Sequence, residues 1–142
     1  MTTLTRRRAV TGLPVPTEHE EQAAVFTWIE SAASRWPELH TAFAIPNFAG
    51  HMGRASTRLR AGAKAKREGR KAGVPDLVLP VARHEYHGLF IEMKRQRGGS
   101  VSPEQKDWHH ALREQGYAVY VCKGAFAAIT VLTAYLEPDN GK

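Results

Sequence analysis

Apolar positions first settle into a helical rhythm after Thr17. Ala23, Phe26, Ile29 and Ala33 recur at three- and four-residue spacing, which predicts an amphipathic helix over Glu18 to Arg35. Thr17 with Glu20 three residues on reads as a capping box, and Pro37 marks the end. His40 to Ile45 predicts a short strand closed by Pro46-Asn47. The rhythm then gives way to basic residues, and Phe48 to Gly73 reads as part helix, part loop. Asp76 to Val81 is an apolar run after a Gly-Val-Pro turn, which predicts a strand. Gly88 to Lys94 alternates, with Leu89, Ile91 and Met93 on one face and Phe90, Glu92 and Lys94 on the other. A helix from Pro103 to Gln115 follows, with Ser102 as N-cap, Pro103 at its first position and Gly116 as its stop. Tyr117 to Cys122 predicts a third strand of this group, and Ala125 to Leu136 a last helix. The order is α-β-(basic segment)-β-β-α-β-α, an α/β architecture with a mixed sheet flanked by helices.

Length and composition narrow this picture. A chain of 142 residues suits one core, because chains divide only beyond roughly 250–300 residues. Residues 1–16 read as a loose basic tail, 17–137 as one domain and 138–142 as a short tail. One cysteine, Cys122, excludes a disulfide framework and a multi-cysteine zinc site, and it reads as a buried small hydrophobe. Trp28, Trp36 and Trp108 read as packing residues within helices. No apolar run approaches the roughly 20 residues of a membrane span. Arg6, Arg7 and Arg8 have no apolar stretch behind them, so no secretory leader is expected and the cytoplasm is the expected compartment.

Charge changes the picture more. The net charge is +6, yet His51 to Lys71 alone carries Arg54, Arg58, Arg60, Lys64, Lys66, Arg67, Arg70 and Lys71 against the single acid Glu68. That segment is +7, so the rest of the chain is −1. A solvated helix face usually mixes both signs. One-sided clustering of this kind is the footprint of a polyanion, since neutralising phosphates releases condensed counterions.

The candidate chemistry lies just beyond. Glu92 follows Asp76 by sixteen residues, at the end of the next strand, and Lys94 shares its face. Phe90 makes that strand apolar on both sides at its start, so it is expected to be central and buried. A charged pair at the end of a buried strand needs partners. Two carboxylates are the hard-oxygen donors that Mg²⁺ prefers, and a lysine beside them can orient water or stabilise charge on a phosphate. A Glu–Lys salt bridge at a sheet margin is the plainer alternative.

Val74-Pro75-Asp76 followed by Ile91-Glu92-Met93-Lys94 resembles the PD-(D/E)xK nuclease motif. More narrowly, the chain resembles the VRR-NUC branch, in its small stand-alone phage or bacterial form. The matching pieces are Glu18-His19-Glu20-Glu21-Gln22, Ile45-Pro46-Asn47, Gly73-Val74-Pro75-Asp76-Leu77, Leu89 to Lys94, and Ser102-Pro103-Glu104-Gln105, in family order over residues 18–122. The resemblance implies a restriction-endonuclease-like core and Mg²⁺- or Mn²⁺-dependent endonuclease hydrolysis of DNA. It assigns metal to Asp76, Glu92, the Met93 main-chain carbonyl and the first-helix acid. Glu18 is the expected first-helix acid and Glu21 its rival; a first-turn acid also complements a helix dipole. Lys94 acts at the water or the scissile phosphate, with Gln22 and Gln105 supporting. Gln105 also completes a Ser-x-x-Gln capping box with Ser102. Residues 51–73 are expected to contact DNA, joined by Arg95 and Arg97 beyond Lys94. Asn47 reads equally as a turn residue. Relatives that act on four-way junctions suggest branched DNA and a homodimer, whose two-fold axis suits paired nicks.

Two rival classes remain on the sequence. One is a non-catalytic nucleic-acid-binding module with a basic arm, whose DNA is indifferent to divalent metal. The other is an interaction protein with an acidic partner, which lacks the steep salt dependence of phosphate contacts. His109 and His110 have no metal-ligand spacing and read as core or surface residues. His84 and His87 flank a turn that is expected to reach the mouth of the site.

Overall fold

The computed structural model describes residues 12–46 and 55–139. Helix α1 (Glu18–Ala32) starts on the expected capping box: the Thr17 side chain accepts from Glu20 N–H, and the Glu20 carboxylate accepts from Thr17 N–H. It ends three residues earlier than the periodicity suggests. Arg35 and Trp36 both donate to the carbonyl of Ala32, which turns the chain, and Pro37 opens a 3-10 helix (Pro37–Thr41) instead of closing the first one. That 3-10 turn takes His40 and Thr41 from the expected His40 to Ile45 strand, of which β1 is Phe43–Ala44.

The buried stripe of α1 keeps Ile29 and Ala33 of the expected face and differs at its start. Glu21, Val25, Ile29 and Ala33 face inward, while Ala23 is exposed and Phe26 half-buried. Phe26 packs against the core from its edge, and an acid takes the first inward position in place of Ala23. Trp28 and Trp36 form a tilted pair with ring centroids 6.1 Å apart, and Trp36 sits in the turn, not in a helix.

Helix α2 (Ala55–Arg67) occupies much of the basic segment. Its C-terminus closes as a Schellman motif: Arg70 N–H reaches the Ala65 carbonyl, Gly69 N–H reaches that of Lys66, and Gly69 has φ +88°. Then come β2 (Leu77–Leu79), β3 (Leu89–Lys94), α3 (Pro103–Glu114), β4 (Ala118–Lys123) and α4 (Ala125–Leu136).

The sheet order is β1-β2-β3-β4, antiparallel up to β3 and parallel between β3 and β4. Leu89, Ile91 and Met93 join Leu77 and Leu79 in a core with Val25 and Ile29 of α1 and Leu132 and Leu136 of α4. The other face of β3 carries Glu92 and Lys94 beneath α3. Five of the six β3 residues are buried, and Phe90 is half-buried against the Tyr117 ring. This is the mixed α/β arrangement expected, and it brings the end of β3 to the start of α3. Among the described residues, no helix is long and apolar enough to cross a membrane.

Candidate active site

The site begins at a glycine. Gly73 has φ +87°, and a Cβ there would fall 2.7 Å from the backbone carbon of Glu104. Only glycine lets the chain pass this close to the first turn of α3. Pro75 is then fully buried, and Asp76 is fixed from three sides. Its N–H donates to the Ile91 carbonyl at 3.1 Å, and its carbonyl accepts from Ile45 N–H at 2.8 Å. Its carboxylate Oδ2 accepts from Met93 N–H at 2.7 Å.

Glu92 is completely buried. Its Oε1 accepts from Gln105 Nε2 at 2.6 Å and pairs with Lys94 Nζ at 3.2 Å. Its Oε2 has no hydrogen-bond partner among the described residues. Burial, then repulsion from Asp76, pushes the Glu92 carboxyl up to about 7, against the pull of Lys94. The alternation of β3 predicts Glu92 and Lys94 on one face, and they meet there.

Gln105 does two jobs at once. Its Oε1 accepts from Ser102 N–H at 2.9 Å, completing the capping box, while its Nε2 holds Glu92. One helical turn on, His109 is 3% exposed, and its Nε2 stands 3.6 Å from Glu92 Oε2. Burial, then the positive charges of Arg113 and Lys94, lower its pKa, which favours the neutral ring. Sequence reasoning misses His109 as a neighbour of the site. The available signal is its four-residue spacing from Gln105, which puts both on one helix face.

A cleft of about 260 Å³ opens in front of this cluster, lined by Glu18, His19, Gln22, Gly73, Asp76 and Gln105 among others. Glu18 is half-buried in its wall. Glu21, a turn further along α1, is buried, and its carboxylate accepts from Gln96 Nε2 and from Ala125 N–H at the start of α4. The two acids left open by the sequence are therefore separated: Glu18 faces the cleft with Asp76, and Glu21 ties α1 to α4.

The cationic residues behave as a surface. Arg60, Lys64, Lys66, Arg67, Arg70 and Lys71 are exposed, as are Arg95 and Arg97 in the turn after β3. Arg58 belongs to α2. Asn47 and Arg54 lie outside the described residues. The two turn histidines do not line the cleft, contrary to expectation. His84 Nε2 donates to the Tyr135 carbonyl and its Nδ1 meets Asp139 at 3.0 Å, while His87 packs edge-on against Tyr117. His110 is exposed beside Glu114. Cys122 is buried as expected, and burial raises its thiol to about 11.

Among the described residues, no three His, Cys, Asp or Glu side chains converge closely enough to cage a metal. Asp76 and Glu92 offer two carboxylates, one with an unpartnered buried oxygen. That donor set fits a hard cation that keeps waters and substrate oxygens in its shell, as Mg²⁺ does, and not a four-ligand zinc site.

The VRR-NUC domain model matches residues 17–126 of the chain. A solved structure described as a VRR_NUC domain protein superposes with a TM-score of 0.68 at 32% sequence identity, covering 88% of this chain and 93% of that one. No curated protein matches the chain.

Proposed function

The chain belongs to the VRR-NUC domain family, whose members are generally nucleases, and on that premise we propose that it is a Mg²⁺- or Mn²⁺-dependent DNA endonuclease. The observation that carries this reading is the convergence of Asp76, Glu92 and Lys94 at one strand end, with Glu92 buried and one of its oxygens unpartnered. Asp76, Glu92 and the Met93 main-chain carbonyl would hold the cation, with Glu18 from the cleft wall. A cation bound there supplies Lewis-acid stabilisation of the phosphate and lowers the pKa of water.

The chain's own residues do the rest. Asp76 is anchored on Met93 N–H, so its position is set by the β2–β3 backbone and not by solvent. Lys94, held at Glu92, directs its ammonium at the attacking water or at charge developing on the phosphate. Water adds to phosphorus, one P–O ester bond breaks, and the proton that the water gives up ends on the leaving sugar oxygen, by way of solvent, so that a phosphomonoester and a hydroxyl result. Arg95 and Arg97 grip flanking phosphates, and the exposed bases of α2 and the segment to Lys71 track the backbone. A domain of this size has limited reach along DNA, so selectivity for branched substrates such as four-way junctions calls for a homodimer acting on opposed strands. Its working place is the cytoplasm of a bacterial or phage-infected cell.

Cleavage of labelled duplex, flap and four-way junction DNA, with Mg²⁺, Mn²⁺ or EDTA, tests this directly. Metal-dependent cutting that is abolished in Lys94→Ala and Asp76→Ala supports it. Wild-type protein that binds every substrate and cuts none would sink the catalytic reading in favour of a binding module.

A further inference from the structure

Two buried side-chain atoms without a hydrogen-bond partner among the described residues face each other: Glu92 Oε2 and His109 Nε2, 3.6 Å apart. The gap is a few tenths of an ångström beyond a hydrogen bond. Each residue is almost wholly removed from water, Glu92 at 0% and His109 at 3% exposure. We propose that His109 is a positioning residue for Glu92: its imidazole carries the proton on Nε2 and donates it to Oε2, so that Gln105 and His109 clamp the two oxygens of one carboxylate.

With Glu92 ionised, the alternative tautomer puts a lone pair on Nε2 against a carboxylate oxygen in a water-free space, where neither acceptor is satisfied. The arrangement also follows from helix geometry. Gln105 and His109 are four residues apart on α3, on the face laid over β3, so one rigid element presents two donors to one carboxylate. Lys94 holds the same oxygen as Gln105, and Oε2, without a hydrogen-bond partner among the described residues, is the oxygen that faces His109. With both oxygens held, the plane of the Glu92 carboxyl cannot rotate. For a carboxylate that takes a cation, such outer partners set the affinity, typically by 10–100-fold. The effect on cation affinity rests on the reading of Glu92 as a metal ligand; the hydrogen bond itself does not.

Two measurements test it. The first uses metal-free wild-type protein labelled with ¹⁵N-histidine and long-range ¹H–¹⁵N correlation at a pH above 7, where Glu92 is ionised, the His109 signals being identified by their disappearance in His109→Gln. The expected result is a protonated, exchange-protected Nε2 and a bare Nδ1; an Nδ1–H tautomer overturns the proposal. The second follows Mn²⁺ binding by calorimetry and electron paramagnetic resonance. His109→Gln, whose amide nitrogen sits near the place of Nε2, should keep affinity within about threefold, and His109→Leu should weaken it by about 10–100-fold. Equal affinity in His109→Leu and wild type overturns the positioning role. Should His109→Leu fail to fold, the tautomer decides, because it needs no variant fold. Wild type that takes up no Mn²⁺ counts against the nuclease reading, and the tautomer again decides this proposal separately.

Discussion

Strand β3 and helix α2 are both charged, and they handle charge in opposite ways. In β3, Glu92 and Lys94 are buried, held at 3.2 Å, and ringed by Gln105, His109 and Asp76. In α2, Ala65 is the one buried residue among those described, Leu59 is 75% exposed, and the bases point into water. The ion pair between Lys64 of α2 and Glu68, at 3.8 Å, is an exposed i,i+4 pair worth only tenths of a kcal/mol. Buried charge must be positioned atom by atom, because desolvation costs several kcal/mol per ion. Exposed charge needs only density. The first arrangement suits a reaction at one phosphorus atom, and the second suits a polymer of phosphates read anywhere along its length.

The sharpest break in this contrast is to neutralise single residues of the buried set. Asp76→Asn and Lys94→Ala should each lower the cleavage rate at saturating DNA by about 10³-fold, within the range for removing an electrostatic stabiliser. DNA affinity should hardly move, and gel-shift titration beside single-turnover kinetics separates the two effects.

The same operation on the exposed set should do the reverse. Replacing Lys64, Lys66, Arg67 and Lys71 together with glutamine should weaken binding by about 10²-fold at moderate salt while the saturated cleavage rate survives. The slope of log affinity against log salt should fall by about 1 for each phosphate no longer neutralised. An unchanged slope would separate α2 from DNA.

A third prediction concerns pH. The Glu92 carboxyl is raised to about 7 in the fold, above its ordinary carboxylate value of 4.5. The unfolded chain therefore releases this proton first as pH rises. Stability from Glu92 is full below about pH 4.5 and drains away through about pH 7, by on the order of 3 kcal/mol. In EDTA, the melting temperature of wild type relative to Glu92→Gln should fall between pH 5 and pH 8. Added Mg²⁺ should recover it at pH 8.

The smallest effect tests the scaffold. Gly73→Ala meets the Glu104 backbone at 2.7 Å and a φ of +87°, so it should cost about 1–3 kcal/mol by denaturant titration. Cleavage should drop with it, because Asp76 follows three residues on. A full-strength variant would mean that the α3 contact does not set Asp76.

Much of this arrangement is legible in the residues. Ser102 with Pro103 and Gly116 marks the limits of α3 to within a residue, and the alternation of Leu89 to Lys94 tells which side chains share a face. Capping and strand alternation are local, and local chemistry is written in neighbouring residues. The inward turn of Glu21 is not legible, because its partners, Gln96 and Ala125, lie on distant segments. His109 escapes notice for the same reason: its partner lies on another element. The 3-10 turn at Pro37 displaces a strand because proline starts a tight turn as readily as it stops a helix. The separation of Glu18 from Glu21 requires the three-dimensional position of α4.

That contact of Glu21 also bears on when the protein becomes itself during synthesis. Its carboxylate joins segments 75 and 104 residues away along the chain. Pairings so distant close late, since loop entropy must be overcome before they contribute. A ribosome-bound chain that has not yet released α4 has Asp76, Glu92 and Lys94 in its sequence but no Ala125 to meet the Glu21 carboxylate. If the proposed nuclease reading holds, a chain ended before Ala125 is expected to cut no DNA, which a truncated variant would check.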